Sequence, residues 1–306
     1  MLSQLKCLQI ACQNLSISIE TLDKNGNFLA ISNQNKTKKE HKKLKKELED
    51  KLENTTKIIS KNYSKLYFIN SQTPFNSQDS AAVCKDKFFC YKALQNIIKQ
   101  PKTLSFLDPF CANNYKEYLE CENFGEITDF IQKELIFPLI IKPNSGSFGV
   151  NVQKVCNQKE LQKAIEKIFD TKSRDYDYVM IAQEYVKIKE EFRVITVDGI
   201  VELIYQKDIS SAEFVGNLSP LHWQGFSTKI IENSQFVTKI QEFIKPIFVN
   251  LPRLFWAGLD LALSEDGELF LIEINTNPGF SLFLSTQEEF YITHLYQKAL
   301  TKFLDL

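Results

Sequence analysis

The sequence predicts a fold of the α+β kind (mixed α/β), and two observations carry that expectation. Apolar runs pair around Asn25-Gly26, Asp198-Gly199 and Asp266-Gly267, turn dipeptides that favour antiparallel hairpins. Segments with a helical spacing of apolar residues stand between those hairpins instead of gathering at one end. At 306 residues, 43% hydrophobic and 25% charged, the chain has room for one large domain or two to three small ones. A net charge of −1 argues against a protein that works mainly by gripping nucleic acid or an anionic membrane.

Taken in order, Leu2–Gln13 reads as an amphipathic helix, and Ser16–Leu22 and Phe28–Ser32 as a hairpin about Asn25-Gly26. Lys36–Ser60 reads as a charge-dense helix with Leu44, Leu48, Leu52 and Ile59 on one stripe. Its lysines are laced with glutamates, so a solvated face is favoured over a nucleic-acid arm. Lys65–Asn70 is a short strand, and SQTPFNSQDS (71–80) reads as a linker. A helix follows from Ala81 to before Pro101, then a helical stretch over 113–134, a strand LIFPLIIK (135–142), the loop PNSGS and the strand GVNVQKV. Gln158–Phe169 is a helix and VMIAQEYV (179–186) a strand. EFRVITV and IVELIYQ pair around Asp198-Gly199. A helix over about 235–248, a strand pair within 255–274 and a helix from about 286 complete the chain.

No run approaches the roughly 18–20 apolar residues that span a bilayer, and MLSQLKCLQIAC is not read as a signal peptide. The seven cysteines are scattered without a C-x-x-C, a pattern of reduced thiols that leads us to expect a cytoplasmic protein without a zinc site. His41, His222 and His294 lie too far apart in sequence to suggest a histidine-rich metal centre.

The informative stretch is FWAGLDLALSEDGELFLIEINTNPGF, which places a carboxylate, Glu273, inside an apolar strand. A two-residue turn at Asp266-Gly267 sets Glu265 against Glu268 and Asp260 directly against Glu273, with Asn275 further along the same face. Facing carboxylates repel, so one holds a proton unless a cation lies between them. The neighbours expected on that face, Gly258, Ala262, Leu269 and Leu271, are not those of a solvated surface. Oxygen ligands from a few groups suit Mg²⁺, with other positions left to phosphate and water. A divalent ion implies phosphates, and LIIKPNSGSFGV offers Lys142 at a strand end before the small-residue loop Asn144-Ser145-Gly146-Ser147. Lys87 is a second candidate. Backbone groups of Glu184 and Val186, with Gln183 alongside, suit an adenine edge, and Glu191 suits ribose hydroxyls.

Together these pieces resemble the ATP-grasp superfamily in its motif order, over roughly residues 81–284. KDKFFCYKAL resembles its first nucleotide lysine segment, PLIIKPNSGSFGV its strand–lysine–loop, IAQEYVKIKEEFRV its hinge, and AGLDLALSEDGELFLIEINTNPGF its metal hairpin. The likeness runs nearest to the ribosomal-protein glutamate ligases, the cyanophycin synthetase ATP-grasp domain and glutathione-synthetase-like enzymes. Over RVITVDGIVELIYQKDISSAEFVGNL, Arg193, Lys207 and Asn217 fall on the polar positions of a glutamate-ligase pattern. D-alanine–D-alanine ligases share the loop and the E-x-N-x-x-P-G ending. They carry arginine two residues before the metal aspartate, where this chain has Gly258. Val215 stands where glutamate ligases have arginine.

The resemblance implies two α+β subdomains sandwiching ATP: a lid over about 103–186 and a metal-binding part over about 187–306, within an ATP-grasp domain 81–306. A shortened N-terminal pre-ATP-grasp domain would occupy 1–80. It implies ATP-dependent ligation of a carboxylate to an amine through an acyl phosphate, releasing ADP. Asp260, Glu273 and Asn275 would hold Mg²⁺, or Mn²⁺. Lys87, Lys142, Ser145, Gly146, Ser147, Gln183, Glu184, Val186 and Glu191 would hold ATP. Arg193, Lys207 and Asn217 would serve the reacting groups. The substrates are amino acids or peptides, a protein terminus included, without nucleic acid or membrane, and self-association is left open. Two other readings stand beside this one: a D-alanine–D-alanine-type ligase and a non-catalytic ATP-binding module.

Overall fold

The computed structural model of the chain describes residues 2–16, 18–21, 28–31, 57–58, 66–69, 75–251 and 253–304. These residues build three antiparallel sheets. The first joins β1 (Ser18–Thr21), β2 (Phe28–Ile31), β3 (Lys57–Ile58) and β4 (Leu66–Ile69) in the order β1-β2-β4-β3. The expected pairing of the first two strands is present, with Thr21 opposite Phe28, while the Asn25-Gly26 turn lies outside the described residues. Most of the charge-dense segment 36–60 also lies outside them, but Lys57–Ile58 pairs with β4 as a strand, so the expected helix does not run to Ser60.

The second sheet runs β5 (Thr103–Leu107), β8 (Val179–Glu184), β6 (Leu139–Pro143), β7 (Gln153–Val155). Helices α4 (Phe124–Glu134) and α5 (Gln158–Ile168) cover one face of it. Each begins with the same device: Asn123 and Asn157 accept from the amides of Glu126 and Glu160, whose carboxylates reach back to the Asn side chains. Ile127, Ile131, Leu161 and Ile165 then pack on Leu139, Ile141, Met180 and Ala182. Strand alternation sends Ile140, Lys142, Ile181 and Gln183 to the opposite face. The helical stretch expected over 113–134 is a 3₁₀ turn at Asn113–Tyr118 and then α4, because Asn123 starts a new helix.

The third sheet has the order β11 (Ser227–Ile230), β10 (Ile200–Asp208), β9 (Ile188–Val197), β12 (Trp256–Ser264), β13 (Leu269–Asn275). One face buries Val194, Leu259, Leu261 and Ile274 under α6 (Ser234–Asn250). The other changes character along its length. Val197 and Ile195 on β9 and Trp256 on β12 lie in an aromatic core beneath α1 (Leu2–Asn14) and α7 (Glu289–Leu304); Arg193 and Asp260 follow on the same face.

Two expectations need correction. Residues 75–76 are not linker: Phe75 packs against Trp256, Phe255 and Phe303. Asn76, fully buried, accepts from the amides of Phe255 and Trp256 and donates to the carbonyls of Trp256 and Thr276. It ties the start of β12 to the residue after β13. The helix expected from Ala81 is broken at Asp86, which ends α2 (Gln78–Lys85) and caps α3 (Lys87–Ala93) by accepting from the Phe89 amide. No helix among the described residues is long and apolar enough to cross a membrane.

Candidate functional site

The β12–β13 hairpin places Asp260 opposite Glu273 and Gly258 opposite Asn275, as the sequence suggests, but by another route. The turn is one residue longer than expected. Ser264, not Glu265, is bonded to Glu268, and Gly267 takes a positive φ of 81°. That shift would set Asp260 one residue out of step. A bulge between Asp260 and Leu261 restores it. The bulge also turns Leu269 and Leu271 into the core under α6, instead of leaving them on the carboxylate face.

Asp260 is buried and takes four hydrogen bonds, the full complement of a carboxylate. Arg193 grips it twice, Nε to Oδ1 at 2.8 Å and Nη2 to Oδ2 at 2.9 Å; Lys207 Nζ lies 2.8 Å from Oδ1, and Asn275 Nδ2 donates to Oδ2 at 3.2 Å. Burial opposes its charge, but Arg193 and Lys207 outweigh it and hold the carboxyl down to about 2. The same ion pairs raise Arg193 and Lys207 against their own burial. Lys207 also bonds Glu191. Asp260 is therefore balanced by two cations of the protein itself.

Across the cleft stands the second sheet. Asp86 caps α3 so that Lys87 opens it, and Lys87 Nζ donates to the carbonyls of Asn144 and Gly146 and lies 3.5 Å from Glu273 Oε1. Lys142 is buried, donating to Gln183 Oε1 at 3.0 Å, and Gln183 in turn donates to Thr103. Burial drives the Lys142 ammonium down from 10.5 to about 8, with Lys87 pushing the same way and Glu273 and Asp260 opposing. Lys87, Lys142, Gln183 and Leu271–Ile274 line one cleft.

Ser145, Gly146 and Ser147 lie in the loop after β6, anchored where the Ser145 amide donates to Asp177 Oδ2 at 2.7 Å. Asn217 is not among the ion-paired residues. Its Nδ2 donates to the Phe148 carbonyl at 3.0 Å, and its Oδ1 accepts from Ser219. Glu184 and Val186 lie where β8 leads to β9, the Glu184 amide donating to Lys102 O. Sequence reasoning placed Asn144 only within the small-residue loop, whereas its Oδ1 receives the Phe88 amide, and it missed Asp177. The two aspartates of DYDYV gave no signal for Asp177.

The donor set fits a hard divalent ion in kind: two facing carboxylates, and an amide whose nitrogen points at Asp260, which leaves its oxygen as the donor. Loading Asp260 requires Lys207 to yield one of the filled positions. Two lysines beside small-residue backbone suit polyphosphate.

A lysine-bearing strand and loop on one sheet, facing an Asp/Glu/Asn hairpin on another, define an ATP-grasp fold, and solved structures with that fold agree. The D-alanine–D-alanine ligase from Bacillus anthracis superposes with a TM-score of 0.53 at 22% identity, covering 75% of this chain and 68% of that one. The ATP-grasp ligase PsnB complexed with minimal precursor gives 0.52 at 16%, covering 74% and 64%. The family model described as D-ala D-ala ligase C-terminus matches residues 110–292, more than half of the chain, and the chain belongs to that family. A D-alanine–D-alanine ligase of Enterococcus faecalis is 25% identical over 172 residues, 53% of this chain and 46% of that protein. A coenzyme gamma-F420-2:alpha-L-glutamate ligase of Methanococcus maripaludis is 27% identical over 231 residues, 72% and 66%. The chain thus spans about half the length of that D-alanine ligase and 66% of that glutamate ligase.

Proposed function

We propose that the chain is an ADP-forming, ATP-dependent carboxylate–amine ligase acting on amino acids or peptide ends. The observation that carries the reading is the cleft that Lys87 and Lys142 share with Glu273, whose hairpin partner is Asp260. Its N-terminal part would be residues 1–80, its lid about 103–186 and its metal-binding part about 187–306.

In this reading Asp260, Glu273 and Asn275 hold Mg²⁺, or Mn²⁺, which when bound neutralises phosphate charge. Lys87 and Lys142 take phosphate oxygens, with the amides of the 145–147 loop closing over them. Lys87 gives up the carbonyls of Asn144 and Gly146 to do so. Gln183 holds Lys142 in line, Glu184 and Val186 offer backbone to the adenine, and Glu191 takes the ribose once Lys207 leaves it. Arg193, fixed by Asp260, and the released Lys207 draw the substrate carboxylate to the terminal phosphorus. That carboxylate attacks, ADP departs, and the amine displaces phosphate from the acyl phosphate. Asn217 acts through the loop it holds. Water must be kept out while the acyl phosphate lives, which a closing loop provides.

Gly258 favours the glutamate-ligase side of the likeness over a D-alanine–D-alanine-type ligase. A Cβ there would stand 2.7 Å from Pro278 Cβ and 3.3 Å from Arg193 Cδ, so Pro278, with Arg193 on β9 behind it, fills the space that a β12 side chain would need. The test is phosphate release from ATP and Mg²⁺ with paired amino acids, wild type beside Glu273→Ala. Release that needs both partners and vanishes in the variant is expected. No turnover with any pair, or full activity in the variant, contradicts the assignment.

A further inference from the structure

β10 and β11 are joined by residues 209–226, and this segment runs from the ion cluster to the phosphate loop. Its feet stand beside the ion cluster, since Asp208 pairs with Ser227 and Lys207 binds Asp260. Its tip meets the phosphate loop through the Asn217 bond to Phe148 O and a ring contact of 6.3 Å between Phe148 and His222. Trp223 Nε1 donates to Asn217 O at 2.7 Å, and the Trp223 ring meets Phe214 edge-on at 5.4 Å. The aromatic groups thus form one run from the phosphate loop across the segment.

Packing does not account for that run. Phe148 is 76% exposed and Phe214 and Val215 about half exposed. Phe148 also sits in the left-handed region with φ 57°, an unfavourable setting for a bulky side chain. Charge narrows what such a surface accepts. Residues 209–226 contain no lysine or arginine, and Glu213 is their one carboxylate. An acidic side chain would meet apolar rings and an anion, and find no cation there to offset its desolvation. A large apolar or aromatic side chain would cover the exposed rings and remove them from water.

We infer that Phe148, Phe214, Val215 and Trp223 select a large apolar side chain on the amino acid or peptide end that the cleft ligates, and reject an acidic one. The inference rests on the ligase reading above. It is tested by ADP release with ATP, Mg²⁺ and pairs drawn from glutamate, aspartate, alanine, leucine, phenylalanine and tryptophan. The expected result is a kcat/KM for leucine or phenylalanine at least tenfold above that for glutamate. Val215→Arg should narrow that ratio at least tenfold without changing ATP affinity, which also reports that the variant is folded. Phe214→Ser should raise KM for the apolar substrate and leave kcat near its starting value. Preference for glutamate in the wild type, or an unchanged ratio in Val215→Arg, overturns this inference and leaves the ligase reading standing. No release with any pair overturns both. A wild-type dimer that Phe214→Ser dissolves, with substrate preference unchanged, assigns the patch to self-association and overturns the inference as well.

Discussion

On the large-sheet wall of the cleft, Asp260 is surrounded by Arg193, Lys207 and Asn275 and holds its charge down to a pH of about 2. On the wall formed by the second sheet, Lys142 is equally buried but its hydrogen-bond partner, Gln183, is neutral, and its pKa falls to about 8. Both side chains sit in low dielectric; the first touches two counter-charges, while the second feels Glu273 and Asp260 without an ion pair. The difference teaches where each wall finds its stability. The carboxylate wall is complete in the protein alone, with Arg193 and Lys207 balancing Asp260. Lys142 is left without a contacting counter-charge, which in the proposed ligase a phosphate would supply.

Breaking the complete wall should cost most. Asp260→Asn leaves Arg193 and Lys207 facing each other without their shared anion, and should lower stability by about 3–5 kcal/mol, read as a fall in the urea midpoint. A loss of less than about 1 kcal/mol, the scale of an exposed pair, would erase the contrast between the walls. Glu273→Gln separates function from fold on the same hairpin. Glu273 is about a third exposed and has Lys87 at 3.5 Å, so stability should change little. Turnover should fall by roughly 10³-fold, the scale of losing a group that stabilises transition-state charge, measured as initial rate at saturating ATP.

The lysine wall predicts a pH response. Because the folded pKa of Lys142 lies below its ordinary 10.5, the native state releases a proton at about 8 that the unfolded chain keeps to 10.5. Stability contributed by this group is therefore lowest below pH 8 and rises between 8 and 10.5. ATP affinity should move the other way, weakening as pH rises past about 8, while Lys142→Arg should flatten that dependence. Titration of ATP affinity between pH 7 and 9.5 in both proteins checks the sign. The smallest effect is expected at the loop between the walls. Gly149 has φ 68°, and a Cβ there would stand 2.3 Å from Asn217 Oδ1. Gly149→Ala should push Asn217 off the Phe148 carbonyl and cost about 1–2 kcal/mol, seen as a lower melting temperature and a higher KM for ATP.

The sequence disclosed the hairpin, the strand–lysine–loop and the order of motifs, because each is local: a turn dipeptide, a strand end, a run of small residues. What it hid was long-range. Asn76 lies in a polar stretch with no pattern, yet its four hydrogen bonds close the base of the hairpin about 180–200 positions away in sequence. The bulge at Asp260 was hidden for another reason. Period-two alternation cannot register an extra residue, and a turn one residue longer than expected cancelled it, so Asp260 and Glu273 still met. The binding of Asp260 by Arg193 and Lys207 needed strand order as well as strand identity. β9 lies beside β12 in the sheet although about sixty residues separate them.

We propose that the Asp260–Glu273 hairpin and the two lysines form a site for ATP with Mg²⁺. It is tested most directly by calorimetric titration of a non-hydrolysable ATP analogue with and without Mg²⁺, in the wild type and in Glu273→Gln. The account predicts at least tenfold tighter binding with Mg²⁺ in the wild type, and loss of that gain in the variant. Equal affinity with and without Mg²⁺ in the wild type, or an undiminished Mg²⁺ effect in Glu273→Gln, would contradict it.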